Sequence, residues 1–208
     1  MYTQRIVHVP ALGKSAELRA ALEERNNSPS TVPHALAANM FSPQVAYVHA
    51  LRFEDLAAIE AYQNRPLDAT FQAQGQKINQ CLAQERITFL YEQLATTGPL
   101  SVRPKFAIRN RQAPAAGKGP ELRAMLDERI HTKRPGVAGA RLERQIGSIA
   151  GPAFTVTLLF GSMADMDTFF AANEADTSFP TYVKKIASLT RTPLQQRIQR
   201  IIAPFPAQ

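Results

Sequence analysis

Residues 13–25 read GKSAELRAALEER, and residues 117–129 read GKGPELRAMLDER. Nine of the thirteen positions are identical, and Glu23 against Asp127 is conservative. A chain that writes one helix twice, 104 residues apart, is constrained to build the same unit twice, and a repeat of this kind governs every later assignment. Each copy carries helix-start chemistry. The Ser15 hydroxyl is expected to cap the first helix, and Pro120 is suited to the first turn of the second. Glu17 and Glu121 fall where the helix dipole favours an anion. Leu18, Ala21 and Leu22, and likewise Leu122, Met125 and Leu126, make one apolar stripe at i, i+3, i+4. Arg19 and Glu23 lie off the stripe and read as surface.

The likeness continues downstream at a slightly larger offset. VAYVHALRFEDLAAIEAY (45–62) aligns with PAFTVTLLFGSMADMDTFF (152–170), pairing Tyr47 with Phe154, Phe53 with Phe160 and Asp55 with Ser162. In both, a strand ends in Phe, a capping side chain follows, and a helix begins. Each half therefore reads strand, helix, strand, strand, helix, strand. The expected strands are 3–9, 32–41, 44–53 and 84–92, then 105–112, 138–149, 152–160 and 191–201. The expected helices are 15–27 and 55–82, the latter broken around Pro66, then 120–133 and 162–189. Pro43 and Gly151–Pro152 mark turns between paired strands. ATTGPLSVRP (95–104) has a connector's composition. The domain expectation is 1–95, a linker at 96–104, and 105–208.

A βαββαβ unit makes a four-stranded antiparallel sheet with both helices on one face. Strands such as RIVHV and FTVTLLF carry apolar residues at both parities, so both sheet faces need cover. Helices cover one; a second copy can cover the other. The predicted class is α+β: two tandem ferredoxin-like βαββαβ units forming an intramolecular dimeric α/β-barrel.

With the order of elements, the GK..ELRA.LEER opening and the passage YVHALRFEDLAAIEAYQNRP before the terminal RIQRIIAPFP, the chain resembles the dimeric α/β-barrel superfamily, and within it the NIPSNAP-like group. The resemblance spans nearly the whole chain and is carried by structural motifs. It implies ligand pockets between sheet and helices. It also implies a cofactor-independent oxygenase- or isomerase-type enzyme acting on a small apolar organic molecule, or alternatively a non-catalytic small-molecule-binding or assembly protein. Haem-degrading members of the superfamily rely on an Asn, Trp, His set, and this chain has no Trp. No cofactor is expected.

If the first strand runs antiparallel beside the third, His8 lies near Tyr47 and His49 near Ile6. Period-two alternation puts Tyr47, His49, Leu51 and Phe53 on one face. His8, Tyr47 and His49 are the candidate catalytic residues, an imidazole serving as general base; packed strand histidines are the competing reading. The matching second-half positions, Gln112, Phe154 and Val156, cannot do this, so a site would belong to the first half. Arg5 and Arg109 recur on the first strand of each half. They are candidate ligand-binding residues, with a role in the shared interface the stronger reading.

Composition removes other classes. Apolar runs fall far short of the roughly 18 residues a membrane helix needs, and MYTQRIVHVPALG lacks the pattern of a signal peptide. The one cysteine, Cys81, allows no internal disulfide and fits a reducing cytoplasm. Four His and one Cys show no metal-ligand spacing, so no metal is expected. LGKS (12–15) mimics the end of a phosphate loop but has His8 where a glycine is needed. Charge is lopsided: eight Lys and Arg stand against nine Asp and Glu before residue 100, and sixteen against eight after it. The basic residues are scattered without interleaved aromatics, which disfavours nucleic acid as a partner. A homodimer of the tandem unit remains an expectation.

Overall fold

The repeated helices form where the apolar stripes place them. In the computed structural model, which describes residues 1–30, 32–97, 103–148 and 151–205, the first half runs β1 (Tyr2–His8), α1 (Ser15–Asn27), β2 (His34–Met40), β3 (Tyr47–Phe53), α2 (Leu56–Asn64), α3 (Ala69–Asn79) and β4 (Ile87–Thr96). The second runs β5 (Phe106–Gln112), α4 (Gly119–His131), β6 (Gly139–Ile146), β7 (Ala153–Phe160), α5 (Met163–Ala175), α6 (Phe179–Leu189) and β8 (Gln195–Ala203). Leu18, Ala21 and Leu22 of α1 are buried, as are Leu122 and Leu126 of α4.

Local detail repeats as well. Gly13 and Gly117 hold φ of +76° and +74°, a left-handed turn open to glycine at no steric cost. The amide of Lys14 then donates to Ala11 O at 3.0 Å, and that of Lys118 to Ala115 O at 3.0 Å. Asp55 accepts from the Ala58 amide at 2.8 Å, and Ser162 from the Asp165 amide at 3.1 Å, capping α2 and α5. Lys14, not Ser15, stands at the cap position of α1 and makes no side-chain cap bond. The Ser15 hydroxyl is instead engaged by Tyr47 at 3.0 Å, a tertiary partner that outcompetes the local one.

Several strand ends differ from expectation by three or four residues, as at β8, which starts at Gln195 rather than 191, and two differences have a readable cause. The helix expected over 162–189 is two, because Asp176 closes an Asx turn onto Ser178 (2.9 Å) and Pro180 opens α6. The strand expected to end at 92 continues to Thr96. The connector at 96–104 lies partly outside the described residues.

The strands follow the order β1-β3-β2-β8-β5-β7-β6-β4 in a closed barrel. By packing, the chain divides into two units, residues 1–91 with 200–208, and residues 92–199. Both β4 and β8 pass through that division. In the first unit β3 lies antiparallel between β1 and β2; in the second β7 lies between β5 and β6.

The helix-facing side of each sheet holds the core. In the second unit it is one continuous cluster, including Ile108, Leu126, Leu142, Phe154, Leu158, Phe160 and Met166. In the first it is split. Leu18, Leu22, Leu36, Tyr47 and Ile78 form one cluster, and Leu51, Phe53 and Ile59 another. The opposite sheet face is also buried, as the double-parity pattern predicts, but it is not apolar. Thr3, Arg5 and Arg52 lie on it in the first unit, and Glu143, Thr155 and Thr157 in the second. Thr157 donates to Glu143 at 3.4 Å there, as buried polar groups require partners.

Candidate functional site

The split in the first core is made by histidines. Register places His8 opposite Tyr47 and Ile6 opposite His49, as expected. It also places Leu36 opposite His49 and His34 opposite Leu51. Directly paired residues share a face, so His8, His34, His49 and Tyr47 all point to the helix side, between the two apolar clusters. All four are buried, with 2% of His8 exposed.

Three of them make polar contacts, in two separate sets. The Tyr47 hydroxyl meets the Ser15 hydroxyl at 3.0 Å and donates to Ser15 O at 3.2 Å, tying the end of β3 to α1. His49 Nε2 lies 3.2 Å from His34 Nδ1, with the rings edge to face at a 5.0 Å centroid separation. His34 Nε2 lies 2.8 Å from the hydroxyl of Ser30, which is exposed. The chain His49–His34–Ser30 therefore leads from the core to the surface. His8 differs: both its ring nitrogens are buried without a hydrogen-bond partner.

The electrostatics hold these imidazoles neutral. Burial pushes His8 down to about 4, and the positive charge of Arg86 adds to it. Burial takes His34 to about 4, assisted by Arg25 and then Arg65. His49 falls to about 3 through burial, followed by the effects of His34, His8 and Arg25. Desolvation and like charge act in the same direction on all three. Neutral imidazoles present a lone pair, while the same burial and positive charge disfavour the imidazolium that accepting a proton creates.

Sequence reasoning brought His8, Tyr47 and His49 together correctly and missed His34. The signal was present: in β2, His34, Leu36 and Ala38 alternate onto the face that β3 shares. Arg5 and Arg109 are not at this site. Arg5 pairs with Ala50 and Arg109 with Thr157, on the opposite parity. Arg5 is buried with its guanidinium 4.2 Å over the Tyr91 ring, and Arg109 is half-buried. In the second unit the corresponding face carries Gln112, Phe154 and Val156, and Ala140 occupies the place of His34, so it packs as continuous hydrocarbon. Among the described residues, no group of three or more His, Cys, Asp or Glu is placed to hold a metal ion, and no helix is long and apolar enough to cross a membrane. A cleft of about 280 Å³ opens beside α1 and α3, lined by Lys14, Glu17, Lys77, Gln80 and Cys81, away from the histidines.

The fold and its pairing define a class: a ferredoxin-like dimeric α/β-barrel carried in one chain. The sequence matches no family model, and no curated protein matches it. Solved structures resemble it over its full length. A candidate monooxygenase from Fusobacterium nucleatum superposes with a TM-score of 0.77 at 8% identity, covering 100% of this chain and 97% of that one. An anthrone oxidase-like protein gives 0.65 at 11% identity, covering 100% and 94%. A candidate monooxygenase from Lactobacillus acidophilus gives 0.64 at 8%, covering 96% and 93%. At such identities the likeness is one of fold, and the chemistry has to be argued from the residues.

Proposed function

We propose that this chain is a cofactor-independent oxygenase- or isomerase-type enzyme that removes a proton from a small, mainly apolar organic molecule, with His8 as general base. The observation that carries the reading is His8 itself. A buried imidazole with no partner for either nitrogen costs stability, and a proton-accepting role gives that cost a use. Tyr47, braced by Ser15, is the polar group beside it. The His49–His34–Ser30 chain runs to the surface beside it, without a hydrogen bond to His8.

The oxygenase and isomerase forms share their first step. A C–H beside a carbonyl loses its proton to the neutral imidazole, leaving an enolate. In the isomerase the proton returns at another carbon. In the oxygenase the enolate meets dioxygen, and one methylene and one dioxygen become one carbonyl and one water. Both C–H bonds and the O–O bond break, while a C=O bond and two O–H bonds form. Carbon is oxidised and dioxygen is reduced, with no other electron donor required. The anthrone oxidase-like neighbour lends support to a tricyclic methylene substrate.

A second reading is favoured by the tight edge-to-face packing of His34 on His49. In it the cluster is structural, and the chain is a non-catalytic binding or assembly protein of the NIPSNAP-like kind. We also take the two halves to be tandem copies of one ancestral unit, 1–95 and 105–208; the paired turns and caps support this. A cytoplasmic setting suits the single reduced, buried Cys81.

Oxygen uptake with an anthrone, together with deuterium exchange at its methylene, tests the reading. Wild-type protein is expected to accelerate at least one of the two, and His8→Leu to abolish it while remaining folded. No acceleration, or activity indifferent to His8→Leu, would favour the structural alternative.

A further inference from the structure

Two arginines at the edge of the same helix layer share one aromatic ring. The Arg25 guanidinium carbon lies 3.0 Å from the Phe71 ring centroid, and that of Arg65 lies 4.5 Å from it. Both cations are therefore held within 4.5 Å of one point. Arg65 also covers the Tyr62 ring at 3.4 Å. Two like charges gathered on one ring repel, and such a pair is ordinarily neutralised by a carboxylate. Among the described residues neither makes an ion pair. Glu24 is paired with Lys77 at 2.7 Å, while Asp68, which accepts from the Phe71 amide at 2.7 Å, acts on Arg25 by charge without an ion pair. Each guanidinium donates to a backbone carbonyl, Arg25 to Phe71 O and Arg65 to Tyr62 O. A guanidinium has five N–H donors, and each of these backbone bonds uses one of them.

The cations also bear on the histidine cluster, since Arg25 and Arg65 are the charges that depress His34. The second unit repeats part of the device. Arg129 stands at the position of Arg25 and lies 4.6 Å over Tyr182, with Arg134 beside it donating to Arg129 O at 3.3 Å. It has no buried histidines to serve.

We propose that Arg25 and Arg65, clamped about Phe71, form a binding site for the carboxylate of a small aromatic acid in the first unit. This rests on the first-unit site proposed above and deepens it: the substrate carries an anionic group, and its apolar ring lies toward His34 and His49. With Asp68 the one carboxylate recorded as acting on Arg25, the ligand supplies the second negative charge for two cations, and planar guanidinium forks match a carboxylate better than an ammonium would.

The test is calorimetric titration of the full chain with 2-naphthoate, with the neutral 2-naphthalenemethanol and sulfate as controls. One saturable site is expected for naphthoate, with the alcohol and sulfate each weaker by about tenfold or more, the worth of a charge-assisted fork. Arg65→Gln should cost a similar factor, Arg65→Lys should fall between, and Arg134→Gln should change nothing. Equal binding of the alcohol, or loss on Arg134→Gln rather than Arg65→Gln, would overturn the assignment. Should Arg65→Gln fail to fold, undiminished affinity in Arg65→Lys would also count against it. Naphthoate binding without any oxygen uptake or exchange would leave this site standing and end the catalytic reading. Turnover of anthrone without naphthoate binding would do the reverse.

Discussion

At the scale of single residues, function and stability pull against each other at His8. Its two buried ring nitrogens lack partners, so His8→Leu should raise stability by about 1 kcal/mol, since an apolar isostere removes an unsatisfied donor and acceptor. Denaturant unfolding at pH 7 checks this; a destabilised variant would mean the imidazole is engaged in a bond that matters to the fold. The three histidines also set an acid limit. Their folded values, about 4, 4 and 3, lie below the ordinary 6.5. The unfolded chain therefore binds more protons than the folded one between those values. Stability is full above pH 6.5 and falls as pH drops from 6.5 toward 4, with each histidine contributing up to about 1.4 kcal/mol per pH unit. Melting at about pH 7, 6, 5 and 4.5 should show that decline, and His49→Leu should flatten it. Three of these four polar residues were legible from strand pairing alone. His34 was not, because it enters from β2, whose register depends on a hairpin length that spacing does not determine. Ser15 was misassigned because a capping hydroxyl and a tertiary partner for Tyr47 look the same in one dimension.

At the scale of elements, the turn into β6 is the most tightly fitted joint. Gly136 holds φ of +74°, and a Cβ there would sit 2.0 Å from Asp165 O. Gly136→Ala combines left-handed strain with a backbone clash and should cost more than about 2 kcal/mol. Gly13→Ala and Gly117→Ala meet open space, so they bear the conformational cost alone, about 1 kcal/mol each. Thermal unfolding of the three variants separates the two causes; equal losses would show that the close approach to α5 relaxes freely. The same contrast explains what was legible here. Pro66 announced the break between α2 and α3 because it follows a helical run. Pro180 did not announce α6, since proline is at home in a first helical turn and leaves an uninterrupted apolar pattern around it. The far end of β4 was hidden because EQLAT (92–96) has only its last residue, Thr96, among the aromatic and β-branched types that mark a strand, and its pairing is settled by neighbours far away in sequence.

At the scale of the whole molecule, the order of the chain and the order of its packing diverge. The repeat made two units legible, and the double-parity strands made it legible that both sheet faces are covered. It was not legible that one face is built from Thr, Arg and Glu, because a single Arg5 or Arg109 within an apolar strand looks like an exposed exception rather than a member of a buried set. Nor was it legible that the end of the last strand packs with the first unit. Residues 200–208 group with the first unit: Ile202 and Ala203 pack on its core beside Leu36 and Tyr47, and the Phe205 ring receives the Arg52 guanidinium at 4.0 Å. Burial of this kind is worth about 25 cal/mol per Å² of apolar surface, so its loss should fall on the first unit. Truncation after Gln199 is therefore expected to lower amide-exchange protection at Leu18 and Leu22 while protection at Leu122 and Leu126 is retained. Those amides report related helices, and comparing each with its own value in the full-length chain cancels intrinsic propensity, so only the missing strand end separates their behaviour. Equal protection in both helices after truncation would mean that the terminal segment adds nothing to the unit it packs on.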